Sequence, residues 1–332
     1  MRTRLALVVA PILLLTLLPG AASAAPPPDT QAAYHARVIA HWTPARMRAA
    51  VPRDFTFDAV RGFQPAAKPG GGGTGTVTGA SWTGGGKMLT TTGKVYFEMG
   101  GSGWICSGSV VNDTATGRSV ILTAGHCVVE NDGTFATYWM FIPEFDSAPT
   151  YTCSAAKYGC WVADYLYASR KFAYAGGFNN TAVQYDWGFA VTSGGAQDAR
   201  PVDQVVGSFA IGYSGVAKND VLSAFGYPAA GKYHGSDLTY CVGPIGTDAG
   251  TGNTTWSMAC DMTGGSSGGP WVKGSGSNYA SAVLSSLNSY GYSGVKKMYG
   301  PMFNANTRAV FDAANGLSVA TSTTPFVRVA LP

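Results

Sequence analysis

From about Thr92 onward, hydrophobic residues occur in short runs, and Gly, Asn and Ser separate the runs. The runs are rich in β-branched and aromatic residues, which favour strands, while the separating residues favour turns. Nine runs stand out: KVYFEM, WICSGSVV, SVILTAGHCV, TYWMFI, CWVADYLYA, WGFAV, VLSAFGYP, TTWSMAC and SAVLSSL. Short runs at such regular spacing predict an all-β barrel or sandwich. A helix over Asn304 to Asn315 is predicted to close the chain.

The sequence before these runs has a different pattern. Thr43 followed by Pro44 predicts a helix that begins there, with Thr as its cap, and ends before Pro52. The stretch QPAAKPGGGGTGTVTGASWTGGG can bury little, so we interpret it as a flexible, cleavable linker. A short helical unit ahead of such a linker indicates either a pro-segment or a disordered N-terminal tail.

The first residues have the pattern of an export signal. MRTR is basic, LALVVAPILLLTLLPG is apolar, and AASA ends in the small residues that signal peptidase accepts, which predicts cleavage after Ala24. A membrane anchor is the alternative, but Pro11 and the short apolar run disfavour it. We therefore predict a signal peptide over 1–24, a pro-segment with its linker over 25–79, and the main domain over 80–332.

Composition and charge narrow the function classes. Hydrophobic residues make up 46% of the chain and charged residues 12%, so material for a core is ample. The net charge is +4, but residues 1–79 hold eight basic and three acidic residues, a balance of +5, whereas residues 80–332 hold fourteen and fifteen, a balance of −1. The basic excess therefore lies ahead of the main domain, and nothing in the charge suggests a nucleic-acid partner. Six cysteines, an even number in an exported chain, predict disulfides, and no Cys-x-x-Cys or Cys/His cluster predicts a metal site.

Few residues can carry acid–base chemistry in the main domain. Of four histidines, His35 and His41 precede the linker and His234 lies in a turn-like stretch, which leaves His126 at the end of an apolar run. Acyl transfer needs a hydroxyl, an imidazole to take its proton and a carboxylate to orient the imidazole. The Gly-rich turn at Gly264–Pro270 offers two serines, and its successive N–H groups can converge on a developing oxyanion.

The motifs LTAGHC, at Leu122–Cys127, and GGSSGGP, at Gly264–Pro270, together resemble the chymotrypsin-like (trypsin-like) serine protease superfamily. The resemblance implies two six-stranded antiparallel β-barrels with a short C-terminal helix. It also implies that His126 is the general base and that Ser267 is the nucleophile. Gly265 and Ser267 then supply the oxyanion-hole N–H groups.

The same resemblance assigns the orienting acid. YDWGFAV resembles the family's strand that carries this residue, so Asp186 takes the role. Asp164, Asp203 and Asp220 are rival acids, but none has an apolar strand running on directly behind it in the same way.

Ser266 stands where vertebrate digestive members have Asp, so activation by a buried N-terminal amine is not expected. This difference makes the chain similar to secreted bacterial members of the glutamyl-endopeptidase type. Of the cysteines, the resemblance pairs Cys106 with Cys127. Proximity then pairs Cys153 with Cys160, which leaves Cys241 to Cys260.

Specificity is harder to predict. Asp261 lies six residues before Ser267, at the position whose Asp selects Arg or Lys in trypsin-like members, and we expect a slight preference for basic residues. The same Asp could instead be a strand-end residue that bonds backbone. Glutamate specificity in the family relies on a His after the nucleophile, and the chain has no His after His234.

We therefore predict a secreted, extracellular serine endopeptidase, a trypsin-like hydrolase that forms an acyl-enzyme on Ser267. It is expected to act on proteins or peptides as a monomer, free of the membrane after signal cleavage and without cofactor or metal. One alternative is a catalytically inactive protease-fold binding or adhesion module. Another is a structural or carbohydrate-binding β protein. The turn Asn131–Gly133 could offer oxygens to calcium, or could be only a turn.

Overall fold

The computed structural model describes residues 30–58, 62–65, 77–147, 151–274 and 279–332. The predicted signal peptide lies outside these residues. The helices are α1 (Gln31–His41), α2 (Pro44–Ala49), α3 (Gly86–Thr91), α4 (Arg170–Ala173), α5 (Val202–Val206) and α6 (Ala305–Asn315). The first strands are β1 (Val51–Pro52), β2 (Phe55–Asp58), β3 (Gly62–Pro65) and β4 (Val77–Ser81). All nine predicted apolar runs form strands, as the following paragraphs describe.

A closed, six-stranded antiparallel barrel forms the first half of the main domain. Its strands are β5 (Thr92–Met99), β6 (Ser102–Val111), β7 (Ser119–Thr123), β8 (Thr137–Pro143), β9 (Trp161–Ser169) and β10 (Gly188–Thr192). They pair in the order β6-β5-β8-β9-β10-β7, and β7 pairs back onto β6 to close the ring. Trp139, Trp161 and Trp187 are fully buried in this half.

The second half of the domain holds two six-stranded sheets. Its strands are β11 (Ala210–Ile211), β12 (Val221–Gly226), β13 (Thr239–Pro244), β14 (Gly246–Thr247), β15 (Thr255–Ala259), β16 (Pro270–Lys273), β17 (Val283–Leu287), β18 (Tyr290–Tyr292) and β19 (Lys297–Pro301). One sheet has the order β11-β17-β16-β12-β13-β4, and the other has β14-β15-β19-β18-β2-β3. The predicted all-β, chymotrypsin-like fold class is confirmed. The second half, however, divides its nine strands between two sheets, and β2, β3 and β4 from earlier in the chain complete them.

Both predicted helices are confirmed. Asn304 caps α6, accepting from the N–H of Asn306 at 2.8 Å, and Thr43 caps α2 ahead of Pro44. The chain does not end with α6, however. Strand β20 (Phe326–Ala330) follows it and pairs antiparallel with β9, because its apolar residues can be buried there.

The leader, defined as residues 30–58 and 62–65, is folded against the rest of the molecule. Its helix α1 was not predicted. Strand β1 pairs in parallel with β6, and β2 pairs in parallel with β18. Residues 66–76 of the predicted linker lie outside the described residues, and β4 pairs with β13, so the predicted boundary between 79 and 80 lies inside a strand. No helix of the described residues is long and apolar enough to cross a bilayer.

Candidate active site

The closed barrel brings His126 and Asp186 together. Strand β7 leads into a tight turn at Gly125–Cys127, which carries His126, and β10 begins two residues after Asp186. Because β7 and β10 are paired neighbours, with Gly188 opposite Thr123, the two side chains meet at one barrel edge. His126 Nδ1 lies 2.8 Å from Asp186 Oδ2.

Asp186 is held by more than the imidazole. Its Oδ1 accepts from the backbone N–H of His126 at 2.8 Å, and its Oδ2 accepts from Ser289 Oγ at 2.6 Å. Asp186 is fully buried and His126 is 1% exposed, so three donors compensate a carboxylate that has no contact with water. Such a carboxylate fixes the orientation and tautomer of the ring.

Ser267 lies in the turn that begins the second half's β16. Gly265 and Gly268 have φ values of +96° and +82°, which L side chains rarely adopt, so the turn needs glycine at both positions. Ser266 is fully buried, and its hydroxyl donates to the carbonyl of Thr263 at 2.8 Å. Ser266 therefore braces its own turn without an ion pair.

Two amide groups of this turn are oriented for an oxyanion. The carbonyl of Gly264 accepts from Ala229 N–H at 2.7 Å, and that of Ser266 accepts from Gly269 N–H at 2.9 Å. In a trans peptide the N–H points opposite to the carbonyl, so the N–H groups of Gly265 and Ser267 point away from these anchors. Among the described residues neither N–H has a protein acceptor, which leaves both available to a ligand.

The leader enters this site between the serine and the imidazole. Ser267 Oγ donates to Asp54 Oδ1 at 2.8 Å, and His126 Nε2 lies 3.1 Å from the carbonyl oxygen of Arg53. A hydroxyl has a single proton, so Ser267 cannot donate to His126 while it donates to Asp54. The structure thus brings the predicted residues into one cleft, with the leader between two of them.

Charge around the leader is partly compensated. Arg53 donates through Nε to the carbonyl of His126 at 2.9 Å and pairs through Nη2 with Glu130 at 2.6 Å. Burial lowers the pKa of the Arg53 guanidinium. Burial raises the pKa of the Asp54 carboxyl to about 6, against the smaller opposing effects of the Ser267 hydrogen bond and of His126.

The rival acids have other partners. Asp164 lies 2.7 Å from His35 Nε2 in the leader, and Asp220 pairs with Lys273 at 2.7 Å. Asp203 accepts from the hydroxyl of Ser119. Each is engaged away from His126.

Asp261 lies beside a pocket next to the site. The lining includes Asp54, Thr56, Asp261, Thr263 and Tyr292. Both carboxylate oxygens of Asp261 are already bonded, one to Lys232 Nζ at 2.7 Å and one to the hydroxyl of Tyr233. A basic substrate side chain would therefore have to compete with Lys232. His234 is exposed in an irregular loop.

Three disulfides brace the domain: Cys106–Cys127, Cys153–Cys160 and Cys241–Cys260. These are the pairs expected from the sequence. The first joins β6 to the turn that carries His126. Within the described residues, the one tight group of metal-ligand types is Cys106, His126 and Cys127, and its two cysteines are used in that disulfide.

Sequence reasoning missed Ser289 and the leader's Arg53 and Asp54. Nothing local distinguishes PRDF, the stretch around Asp54, from other polar sequence. Helix α1 did have a signal: Tyr34, Val38 and Trp42 follow one another at intervals of four, and all three are buried.

No protein-family model matches the chain, and no curated protein matches it. Solved structures do. The protease Anisep from Arthrobacter nicotinovorans is 35% identical, with a TM-score of 0.60, over 72% of this chain and 100% of that one. A thermostable serine protease, AL20, from an extremophilic microorganism is 31% identical, with a TM-score of 0.59, over 69% of this chain and 99% of that one.

A glutamyl endopeptidase shares the fold at 18% identity, with a TM-score of 0.52, over 72% of this chain and 97% of that one. The stronger evidence is the identity above 30% to two proteases whose whole length this chain spans. On that evidence, together with the closed barrel, the chain belongs to the chymotrypsin-like serine protease superfamily.

Proposed function

We propose that the protein is a secreted serine endopeptidase that hydrolyses peptide bonds through an acyl-enzyme on Ser267. One observation carries the proposal. A buried His126–Asp186 pair at 2.8 Å faces a serine turn in which the N–H groups of Gly265 and Ser267 have no acceptor among the described residues. A binding module would have no need to keep all of these groups together.

The chemistry begins once the leader has left the cleft. His126 Nε2 then takes the proton of Ser267 Oγ, and the oxygen attacks the carbonyl carbon of a peptide bond. The amides of Gly265 and Ser267 stabilise the oxyanion, and Asp186 stabilises the imidazolium. His126 returns the proton to the departing amine, and water activated by the same imidazole releases the acid product.

Export and processing are part of the proposal. The N-terminal sequence has the pattern of a signal peptide, and three disulfides suit an oxidising compartment. Residues 25–79 then form a pro-segment, whose Gly-rich sequence is the expected site of cleavage. A protein of this kind needs no cofactor and acts as a monomer on protein or peptide substrates.

The experiment is hydrolysis of a peptide library by the folded protein after its chain has been cut at a protease site inserted at residues 70–73 and the leader has been removed. The matched pair of variants is Ser267→Ala and Ser266→Ala. We expect Ser267→Ala to lower kcat roughly 10⁴-fold or more. Ser266→Ala should retain activity within about tenfold, because its hydroxyl only braces the turn.

Equal loss of activity in the two variants, or hydrolysis that survives Ser267→Ala, would refute this assignment. The cleaved sites also report on Asp261. Cleavage after Lys or Arg indicates that a substrate displaces Lys232 from this carboxylate, whereas cleavage after other residues indicates that the Asp261–Lys232 pair stays closed.

A further inference from the structure

We propose that the leader is a built-in inhibitor: its strand segment from Val51 to Phe57 fills the substrate cleft, and Asp54 occupies the nucleophile. This inference rests on the proposed proteolytic function. It goes further by naming the inhibitory segment, the group that blocks the serine, and the distant contacts that hold both in place.

The leader crosses the cleft between the two halves of the domain. On one side Val51 pairs with Trp104 of the closed barrel, and on the other Phe55 pairs with Tyr290 of the second half. The two residues between these pairings that reach the catalytic groups are Arg53 and Asp54. The backbone therefore spans the gap at the point where His126 and Ser267 face each other.

Arg53 and Asp54 leave both catalytic groups without their reaction partners. The carboxylate of Asp54 accepts the proton of Ser267, and the carbonyl of Arg53 faces the imidazole nitrogen that would otherwise act as the base. Attack requires a carbonyl carbon over Ser267 Oγ, with its oxygen toward the two amides. The leader presents a side-chain carboxylate there instead, so it binds without offering a scissile bond.

The space above the serine turn is also filled. A Cβ placed on Gly264 would lie 2.7 Å from Pro52 Cβ and 3.1 Å from Asp54 Cβ, so the leader packs directly on this turn. Phe55 stacks on Phe178 with ring centroids 3.9 Å apart and meets the His126 ring edge-on. Ser267 and His126 are each 1% exposed, which leaves no room for a substrate while the leader is bound.

A second set of apolar contacts holds the leader at a place away from the cleft. Trp42 is 4% exposed, donates through Nε1 to the carbonyl of Tyr138 at 2.6 Å, and packs against Tyr96. Val38 and Met47 are buried on the same side. Substitution of one of these anchors can therefore weaken the docking of the leader without changing any group that touches the cleft.

The test measures how fast a fluorophosphonate labels the full, uncut chain. We compare the wild type with Trp42→Ala, and we use Gln31→Ala as the matched leader control because Gln31 makes one exposed hydrogen bond. Truncating a buried Trp should raise the population of the open state, and with it the labelling rate, about 100-fold. Gln31→Ala should label like the wild type.

Rapid and equal labelling of the uncut wild type and Trp42→Ala would overturn the inference and leave the proposed function standing. A protein that stays unlabelled even after its leader has been cut off and removed would overturn the proposed function, and the inference with it. Phe55→Ala covers the case in which Trp42→Ala does not fold. It removes the ring stacked on Phe178 and should speed labelling roughly tenfold; an unchanged rate in this folded variant also contradicts the inference.

Discussion

Two regions built in different ways hold the imidazole of His126 from opposite sides. On the Nδ1 side, Asp186 belongs to the closed barrel, where β7 and β10 are paired and a disulfide fixes the adjacent turn. On the Nε2 side, Arg53 belongs to the leader, whose strands β1 and β2 are short and whose anchors are side chains on two helices. The contact between Asp186 and His126 cannot break unless the barrel opens. The contact between Arg53 and His126 can break by undocking of the leader alone.

The barrel side builds the catalytic pair, whereas the leader side blocks it. The Asp186 side is continuous with a core of fully buried residues, so its geometry is as stable as the domain. The leader adds its own contacts to this site, so we expect its removal to leave the His126–Asp186 pair and the two amides in place. Activation then requires release of the leader rather than rearrangement of the catalytic residues. Three predictions test this contrast, in order of decreasing effect.

The largest effect is expected on the barrel side. In protein freed of its leader, Asp186→Asn should lower kcat about 10⁴-fold, because an amide cannot fix the imidazole in the tautomer that accepts the Ser267 proton. Steady-state hydrolysis of a peptide substrate measures the change. The matched control is Asp220→Asn, which breaks the surface ion pair with Lys273 while its amide oxygen can still accept from the N–H of Ala217, and it should leave kcat within about twofold.

A small effect of Asp186→Asn, or a comparable loss in Asp220→Asn, would mean that the barrel side does not hold the catalytic acid. The uncut chain provides a second measurement, the opening of the leader. Asp186→Asn should change kcat of the leader-free protein much more than it changes the opening of the leader in the uncut chain.

An intermediate effect is expected from pH on the leader side. The Asp54 carboxyl has a pKa of about 6 when docked, above its ordinary value of 3.8. The docked state thus binds more protons, so docking is strongest below pH 4 and weakens as the pH rises to about 6, by ~100-fold at most. Two titratable groups act on the pKa of this carboxyl: His126 lowers it and Asp186 raises it.

Hydrogen exchange of the leader amides measures this opening between pH 4 and 8, after division by the intrinsic exchange rate. Asp54→Asn keeps an acceptor for Ser267 but cannot titrate. Since the facing groups and the other leader pairs are unchanged in this variant, only the Asp54 contribution should vanish. A pH dependence of the same slope in both proteins would show that another group controls docking.

The smallest effect is expected from the pair between His35 and Asp164. The two atoms lie 2.7 Å apart, and Asp164 is buried in the barrel wall. His35→Ala leaves this carboxylate without its leader partner, so the uncut chain should label roughly tenfold faster. The rate of freed enzyme should not change. If His35→Ala lowers the activity of freed enzyme, then the leader and the catalytic site are not separable in the way described.

The sequence was most informative where contacts are local. Each predicted run became a strand, and His126 and Ser267 could be singled out because each lies in a short motif at the end of an apolar run. Asp186 had a weaker signal, since an acid before a strand is common. Its role depends on β7 and β10 being neighbours, which no local pattern determines.

The leader's role could not be predicted for the same reason. Asp54 and Ser267 are 213 positions apart, and neither has a neighbour that indicates the other. Ser289 likewise reaches Asp186 only because the two halves of the domain meet. Helix α1 is a different case. Its buried positions at intervals of four, following Thr30 as a cap, were present in the sequence and would have predicted a docked helix.

The most direct measurement of the central claim is the site and stoichiometry of fluorophosphonate modification, read by mass spectrometry on protein whose leader has been removed. The account predicts one adduct per chain, on Ser267, and none on Ser267→Ala. An adduct on Ser266 or on another residue, or no adduct on the folded and freed domain, would contradict it.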